Sequence, residues 1–193
     1  YTNAPKSHSR LSSQYVLHVI TSSMLKWMAP FLSFTTEEAW KIFSHGSEHK
    51  QTIFTSEYEA IPTISDSSKL LNKWAHIRKI RQDVTKAIEI EREAGKVGSS
   101  LQAEITIEAD QENLKILSSI GDELKFVLIT SNANVELSMS ETPLQVAVRS
   151  SNYLKCSRCW HYTPDVGTIT SHPGLCVRCD SNLHGDGEIR LFA

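Results

Sequence analysis

The sequence predicts a mainly α-helical chain with a small α+β subdomain and a C-terminal zinc-ribbon-like module. Three observations carry this prediction. Apolar residues recur every three or four positions over much of 9–94, and the period changes to two over 103–109. All four cysteines lie near the C-terminus. We expect four parts: a helical bundle over 1–64, a long connecting helix over 65–98, the α+β subdomain over 99–150, and a metal-binding domain over 151–193.

The first two helices are predicted on either side of Pro30. An amphipathic helix is expected from about Ser9 to Ala29, and Pro30 stops or bends it. Its inner positions are Leu11, Tyr15, Leu17 or His18, Ile20, Met24, Leu25 and Met28. The second helix is expected to begin at Thr35, because Thr35 and Glu38 have the spacing of a capping box. Its apolar face would comprise Ala39, Trp40, Ile42 and Phe43, and its end the segment His45-Gly46-Ser47.

A polar loop with one short extended piece near Ile53 precedes the longest predicted helix. That helix begins at Ser65 or Asp66, both good N-caps, and ends near Ala94, where Gly95 is a typical stop. The most basic segment of the chain lies on it, with Lys79 and Arg81 as candidate phosphate contacts. The alternative is a solvated face whose charge is balanced by Glu89, Glu91 and Glu93.

The third part is predicted as an α+β unit. Alternating residues from Ala103 to Ala109 indicate a half-buried strand, followed by a helix over 111–119. Length alone does not assign residues 122–130 to a helix or a strand, and we favour a short helix capped by Asp122. Two more strands are expected at Asn134–Met139 and Leu144–Ser150, joined around Pro143.

The cysteines form two Cys-x-x-Cys pairs, Cys156 with Cys159 and Cys176 with Cys179, separated by sixteen residues. This spacing is typical of a structural zinc site. Four thiolates suit tetrahedral Zn²⁺ and leave no open position for substrate, so the metal is predicted to hold the fold. Disulfides or a redox pair are the alternatives, and His161 or His172 is a possible substitute ligand.

Composition narrows the function classes. The net charge of −2 does not by itself indicate a nucleic-acid partner. The cysteine usage suits a reducing compartment, which makes the cytoplasm the expected location. No apolar run is long enough to cross a membrane. We find no dinucleotide or phosphate loop, serine elbow or metalloprotease helix, and predict no catalytic residue in this chain. The first residues, which lack an initiator Met, suggest a C-terminal fragment of a longer protein.

Cations and aromatic residues surround the cysteines and make RNA a candidate ligand. Trp160 is the best candidate for stacking on an unpaired base, with His161 beside it, while Arg158 and Arg178 would meet phosphate. Two structural alternatives stay open. Four thiolates around Zn²⁺ carry a net negative charge that attracts cations by itself, and Trp160 would equally fill a small core below the metal.

Several segments resemble one family in order along the chain. Lys155 to Thr163, His172 to Cys179 and Asn182 to Ala193 resemble the C-terminal zinc domain of bacterial isoleucyl-tRNA synthetases. Lys26 to Trp40 resembles the helical anticodon-binding domain of the same class Ia enzymes, and Lys96 to Leu101 and Gly121 to Leu128 resemble the segments that follow it.

This resemblance implies a specific role. The parent enzyme would use ATP to join isoleucine to its tRNA and would hydrolyse mischarged valine. The family's two ATP-site signatures, His-Ile-Gly-His and Lys-Met-Ser-Lys-Ser, are absent from this sequence. The chain would therefore bind one structural Zn²⁺, and its anticodon-binding region would dock the stem-loop of tRNA-Ile. The rest of the synthetase would be its protein partner. A zinc module that only braces a larger protein is the alternative function, and the near-neutral charge disfavours DNA binding.

Overall fold

The computed structural model describes residues 2–44, 52–139 and 144–192. The chain forms two compact units, Arg10–Ser65 and a second unit of Tyr1–Ser9 with Asp66–Ala193. The described helices are α1 (His8–Met28), α2 (Ser33–Phe43), α3 (Ser67–Glu93), α4 (Gln111–Ser118), α5 (Leu124–Leu128) and α6 (Val177–His184). The strands are β1 (Ala103–Ala109), β2 (Asn132–Leu137), β3 (Leu144–Ser150), β4 (Leu154–Lys155) and β5 (Tyr162–Thr163). The predicted fold class is confirmed, while the four predicted domain boundaries stay predictions.

Helix α1 has the predicted extent but not the predicted inner face. Its buried residues are Ser22, Ser23 and Lys26, because Glu59 lies against this side of the helix. Lys26 Nζ is 2.7 Å from Glu59 Oε1, and Ser22 donates a hydrogen bond of 3.1 Å to the same oxygen. The predicted apolar positions are therefore largely exposed, among them Leu11, Tyr15, Leu17, Ile20 and Met24.

Helix α2 begins two residues before the predicted cap. The chain turns directly out of α1, and Leu32 N–H donates to the Met28 carbonyl at 2.9 Å. Thr35 therefore lies inside the helix, so the predicted capping box is wrong. Ile42 is exposed, contrary to its predicted place on the apolar face. The predicted stop at His45-Gly46-Ser47 lies outside the described residues.

The piece near Ile53 is a 3-10 turn over Ile53–Thr55, not an extended segment. The carboxylate of Glu37 explains this turn, since it accepts hydrogen bonds from Thr52 Oγ1 at 2.8 Å and from Ile53 N–H at 2.9 Å. Ile53 is buried as a result.

Helix α3 confirms the longest predicted helix. Asp66 holds the N-cap position with φ 58° but makes no capping hydrogen bond with its side chain. At the other end Gly95 adopts φ 73°, and Gly95 and Lys96 N–H donate to the Arg92 and Glu91 carbonyls, each at 3.0 Å. This is the Schellman arrangement that favours glycine.

A three-stranded sheet packs against α3. Strand β1 is central, parallel to β2 and antiparallel to β3, with Ile107 opposite Val135 and Val146. The predicted strand 103–109 is confirmed, and β2 begins two residues before its predicted start. The buried core of this part comprises Ile77, Ile80, Val84, Ile88, Val97, Ala103, Ile105, Ile107, Ala109, Leu117, Ile120, Leu124 and Leu128, and we call it the sheet core.

The two short helices of this subdomain differ from prediction in their caps. Asp110, which was not predicted as a cap, caps α4 by accepting a hydrogen bond of 2.8 Å from Asn113 N–H. The predicted cap Asp122 instead lies in a 3-10 turn over Gly121–Glu123, which feeds directly into α5. The turn predicted around Pro143 lies outside the described residues.

Candidate metal centre and nucleic-acid interface

The four cysteines converge from three short elements. Cys156 follows β4, Cys159 lies in the turn of the β4–β5 hairpin, and Cys176 and Cys179 lie at the start of α6. We call residues 154–184 the zinc module. The four sulfur atoms lie within 4.8 Å of one another, and all four are free thiols. Helix α6 was not predicted, because its sequence carries only the second cysteine pair and few apolar residues.

Backbone amides support this cluster. Cys176 is the N-cap of α6, and its sulfur accepts a hydrogen bond of 3.4 Å from Cys179 N–H. Cys176 N–H in turn donates to Cys156 Sγ at 3.4 Å. Amide donors at a helix N-terminus favour the thiolate, which is the form that binds metal.

The sulfurs also influence one another's protonation. Hydrogen bonds from the Cys176 and Cys179 thiols hold the pKa of Cys159 well below its usual 9.0. The same hydrogen bonds to Cys159 raise the pKa of Cys176, and they raise the pKa of Cys179 to about 11. Three thiols packed this closely cannot all ionise without a cation. A bound metal ion would supply the positive charge that stabilises the thiolates.

The geometry fits zinc. Zn–S bonds of about 2.3 Å in a tetrahedron place neighbouring sulfurs about 3.8 Å apart. Cys159 Sγ and Cys176 Sγ are 3.8 Å apart. His161 and His172 lie outside the four-sulfur group; His161 Nδ1 is 3.3 Å from the Cys159 carbonyl, and His172 Nδ1 is 2.7 Å from Asp180.

Trp160 has an unusual backbone conformation in the turn that carries Cys159. Trp160 N–H donates to the Cys156 carbonyl at 3.0 Å, and Cys156 N–H donates to the His161 carbonyl at 2.9 Å. This tight turn forces Trp160 to φ 66°, a left-handed conformation that costs an L-residue roughly 1–2 kcal/mol. Its side chain is 57% exposed, with Lys155 Nζ 5.1 Å from the ring. Trp160 therefore does not fill a core below the metal.

The three other candidates near the metal make contacts inside the protein. Arg158 Nη1 donates to the Thr2 carbonyl at 2.7 Å. Arg178 pairs with Glu188 at 3.0 Å, and His161 packs edge-on against Phe126 at 5.4 Å. Burial alone would lower the pKa of Arg178, but Cys159 and Glu188 outweigh it and raise that pKa. These side chains bind the zinc module to its surroundings.

Lys79 and Arg81 are exposed on α3, outside the zinc module. Arg78, Arg81, Gln82 and Thr85 line an open groove of about 360 Å³. Other cations of this helix are paired: Lys86 with Asp83 at 3.4 Å and Arg92 with Glu89 at 2.6 Å. Within residues 52–139, no ion pair engages Arg78, Lys79 or Arg81.

The sequence did not predict the residues that attach the zinc module and the C-terminal segment after it. Glu123 accepts hydrogen bonds from Leu191 and Phe192 N–H, at 2.5 and 2.8 Å. Phe126 lies between two guanidinium groups, with Arg178 4.9 Å and Arg190 3.6 Å from its ring centre. Nothing local in the sequence marks these residues, since their partners lie more than fifty positions away.

The chain matches two described families. Residues 1–107 match the family described as "Anticodon-binding domain of tRNA ligase", and residues 154–182 match "Zinc finger found in FPG and IleRS". The second match agrees with the geometry of the cysteines, which form a zinc site.

Curated relatives agree with these two family matches. The chain is 54% identical to the isoleucine--tRNA ligase of Cupriavidus necator over 194 residues, and 53% identical to that of Ralstonia pickettii over 193 residues. The enzyme of Paraburkholderia phytofirmans is 54% identical over 193 residues. Each comparison covers 100% of this chain but 20% of the relative. The chain thus spans about a fifth of the length of the curated relatives that it matches.

Proposed function

Because the chain belongs to the family of anticodon-binding domains of tRNA ligases, we propose that it recognises the anticodon stem-loop of tRNA-Ile. It would do so as part of an isoleucine--tRNA ligase, which uses ATP to join isoleucine to this tRNA. The relatives, which are isoleucine--tRNA ligases, support isoleucine as the amino acid. The four cysteines, held as thiols, favour the cytoplasm as the location. Among the described residues, no helix has the length and apolar character needed to span a membrane.

The observation that carries the proposal is the conformation of Trp160. A bulky residue with positive φ is strained, and such strain persists at functional sites where the surrounding structure imposes it. Glycine would occupy this turn at lower cost. The zinc site fixes the turn on both sides, so the exposed indole is held in one place for a partner. With Lys155 beside it, the ring offers a stacking surface and a cation to an unpaired nucleotide.

Helix α3 supplies the second part of the proposed interface. Arg78, Lys79 and Arg81 are exposed, and their charges are not offset by ion pairs within residues 52–139. Phosphate contacts of this kind position an RNA without reading its bases. Arg158, Arg178 and His161 would act indirectly, by holding the zinc module in the orientation that presents Trp160.

The first experiment compares two exposed tryptophans. Zinc-loaded Trp160→Ala and Trp27→Ala variants are titrated with a labelled tRNA-Ile anticodon stem-loop, and binding is followed by fluorescence anisotropy. Trp27 is 51% exposed on α1 and serves as the matched control. We expect Trp160→Ala to weaken binding about tenfold or more, because stacking contributes roughly 1–3 kcal/mol per base. Equal affinity of Trp160→Ala and the unchanged chain would favour the alternative, a zinc module that only braces a larger protein.

The second experiment tests the cations of α3. Replacing Lys79 and Arg81 by Gln should weaken binding to every tRNA alike and reduce the salt dependence of the binding constant. Lys86→Gln is the control, since the charge of Lys86 is already offset by Asp83. Preference for tRNA-Ile over an unrelated tRNA should survive both changes. Aminoacylation by a full-length relative with and without this segment tests the role in the enzyme; unimpaired charging after deletion would remove it.

A further inference from the structure

A second group of metal-ligating side chains lies in the zinc module, outside the four-cysteine site. His172, Asp180 and His184 each offer a ligand atom, and these atoms lie within 4.8 Å of one another. Asp180 and His184 are four residues apart on α6, which places them on the same face of the helix. His172 lies in the turn before the helix and reaches the same face, with Nδ1 2.7 Å from Asp180 Oδ1.

We propose that His172, Asp180 and His184 bind one divalent first-row transition metal, such as Zn²⁺, Co²⁺ or Ni²⁺. Two imidazoles and one carboxylate are a donor set that suits these ions, and Mg²⁺ and Ca²⁺ prefer oxygen ligands alone. Three protein ligands leave at least one position for water, in contrast to the closed four-cysteine site. The bound ion would join the turn at His172 to the last turn of α6.

The local structure holds two ligands in place and leaves the third free to adjust. His172 is fixed by backbone hydrogen bonds on both sides, from its own N–H to the Ile169 carbonyl at 3.1 Å and from Leu175 N–H to its carbonyl at 3.0 Å. Asp180 follows Cys179 in the first turn of α6 and is half-buried. His184 is the last residue of α6, is exposed, and precedes Gly185.

Metal binding requires a small movement. The rings of His172 and His184 are stacked, with centres 4.2 Å apart and planes 11° apart. Bonds of about 2.1 Å from one ion place neighbouring ligand atoms about 3.0–3.4 Å apart. The 2.7 Å contact between His172 Nδ1 and Asp180 Oδ1 would therefore widen slightly as the ion replaces their hydrogen bond. Rotation of the exposed His184 side chain away from the stack would bring its nitrogen toward the His172–Asp180 pair. The competing explanation is that these groups form only a hydrogen bond and a ring stack.

Cobalt distinguishes the two metal sites by their spectra. The whole metal-free chain is titrated with Co²⁺ at pH 7.5 under reducing conditions. Binding to four thiolates gives strong sulfur-to-cobalt charge-transfer bands, whereas binding to nitrogen and oxygen gives only weak visible bands. We expect one equivalent that produces the charge-transfer bands and a second, weaker equivalent that adds none.

Variants assign the second equivalent to its ligands. His184→Ala should abolish the second equivalent and leave the charge-transfer bands unchanged, which also shows that the zinc module has folded. His8→Ala, which removes an exposed histidine from α1, should retain both equivalents. The proposal is overturned if the unchanged chain binds a single equivalent, or if His184→Ala still binds two.

Discussion

The zinc module follows the sheet core in sequence, but the two are stabilised by different interactions. The sheet core buries branched aliphatic side chains between α3 and the sheet, with Ile77, Val84 and Ile107 fully inaccessible. The buried cluster of the zinc module consists of three cysteines and Val166. Hydrophobic burial stabilises the first region, and ligand bonds with charged hydrogen bonds stabilise the second.

This difference shows which region can present a functional side chain under strain. An apolar core gains free energy from every buried methylene, and the left-handed residue that follows it, Ile129 with φ 59°, is the C-cap of helix α5. A metal-bound turn is over-determined by its ligand bonds, so it can hold Trp160 in a left-handed conformation. The exposed aromatic residue therefore lies on the region that has almost no core of its own.

Metal removal should separate the two regions most strongly. A structural zinc site contributes about 10–16 kcal/mol of binding free energy that is also folding free energy. After treatment with a chelator, we expect amide hydrogens of 154–184 to exchange rapidly, while those of β1 keep their protection. Hydrogen exchange measured by mass spectrometry follows both regions in one experiment. Retained protection of α6 without metal would contradict the assigned source of stability.

A substitution in the sheet core should have the next largest effect. Ile77→Ala removes a fully buried side chain from α3 and should lower the free energy of unfolding by about 3–4 kcal/mol. Ile90→Ala is the matched control on the same helix, because Ile90 is 65% exposed, and it should change that free energy by less than about 0.5 kcal/mol. Denaturant titration of the zinc-loaded proteins measures both values. Similar losses for the two variants would show that α3 is not held by its inner face.

Glu188 tests the charged attachment of the zinc module. Its carboxylate pairs with Arg178 at 3.0 Å and Arg190 at 3.1 Å and accepts from Asn182 Nδ2 at 2.8 Å. Burial would raise the pKa of Glu188, but these partners outweigh it and lower the pKa below 4.5. Glu188→Gln should cost about 2 kcal/mol of stability at neutral pH.

The pH dependence of that loss has a defined sign. A carboxyl group with a lowered pKa in the folded state stabilises the protein above its unfolded pKa, and this contribution is lost as the pH falls through the folded pKa. The difference between Glu188→Gln and the unchanged chain should therefore be constant from about pH 7.5 to pH 5.5 and shrink only below about pH 4.5. A difference that already shrinks at pH 6 would contradict the lowered pKa.

The smallest expected effect concerns the strained turn. Trp160→Gly and Trp160→Ala both remove the indole, but only glycine relieves the positive φ. The glycine variant should be more stable than the alanine variant by about 1 kcal/mol, as measured by thermal unfolding of the zinc-loaded proteins. Both variants should lose RNA binding to the same extent. Greater stability of the alanine variant would show that the turn is not strained.

Periodicity in the sequence was enough to predict the long helices and the three strands of the sheet. The change from helical to strand period identified β1 within its observed bounds, and Gly95 identified the end of α3. The predictions were wrong where contacts between residues distant in sequence determine the local structure. Glu59 makes the inner face of α1 polar, and Glu37 turns Ile53 into a 3-10 segment, although both carboxylates are distant in sequence from the residues that they bind.

The candidate site likewise has features that the sequence predicts and features that only the structure reveals. Spacing alone identified the four cysteines, because metal geometry imposes a fixed local pattern. Composition suggested Arg158 and Arg178 as RNA contacts, but it could not show that Thr2 and Glu188 engage them. Neither could it show the positive φ of Trp160, which depends on how the turn closes around Cys156 and Cys159.

The contact between the zinc module and Thr2 also bears on the order of folding. Arg158 and Thr2 are 156 residues apart in sequence, and Arg178 and Thr2 are 176 apart. At roughly 5–20 residues per second, a ribosome needs roughly 8–30 s to synthesise the chain between Thr2 and Arg158. During this time the segment around Thr2 has no partner in the zinc module. Closing so long a loop is favourable only after the intervening chain has become compact. Zinc loading and formation of the sheet core should therefore come first, and docking of the first residues should complete the fold.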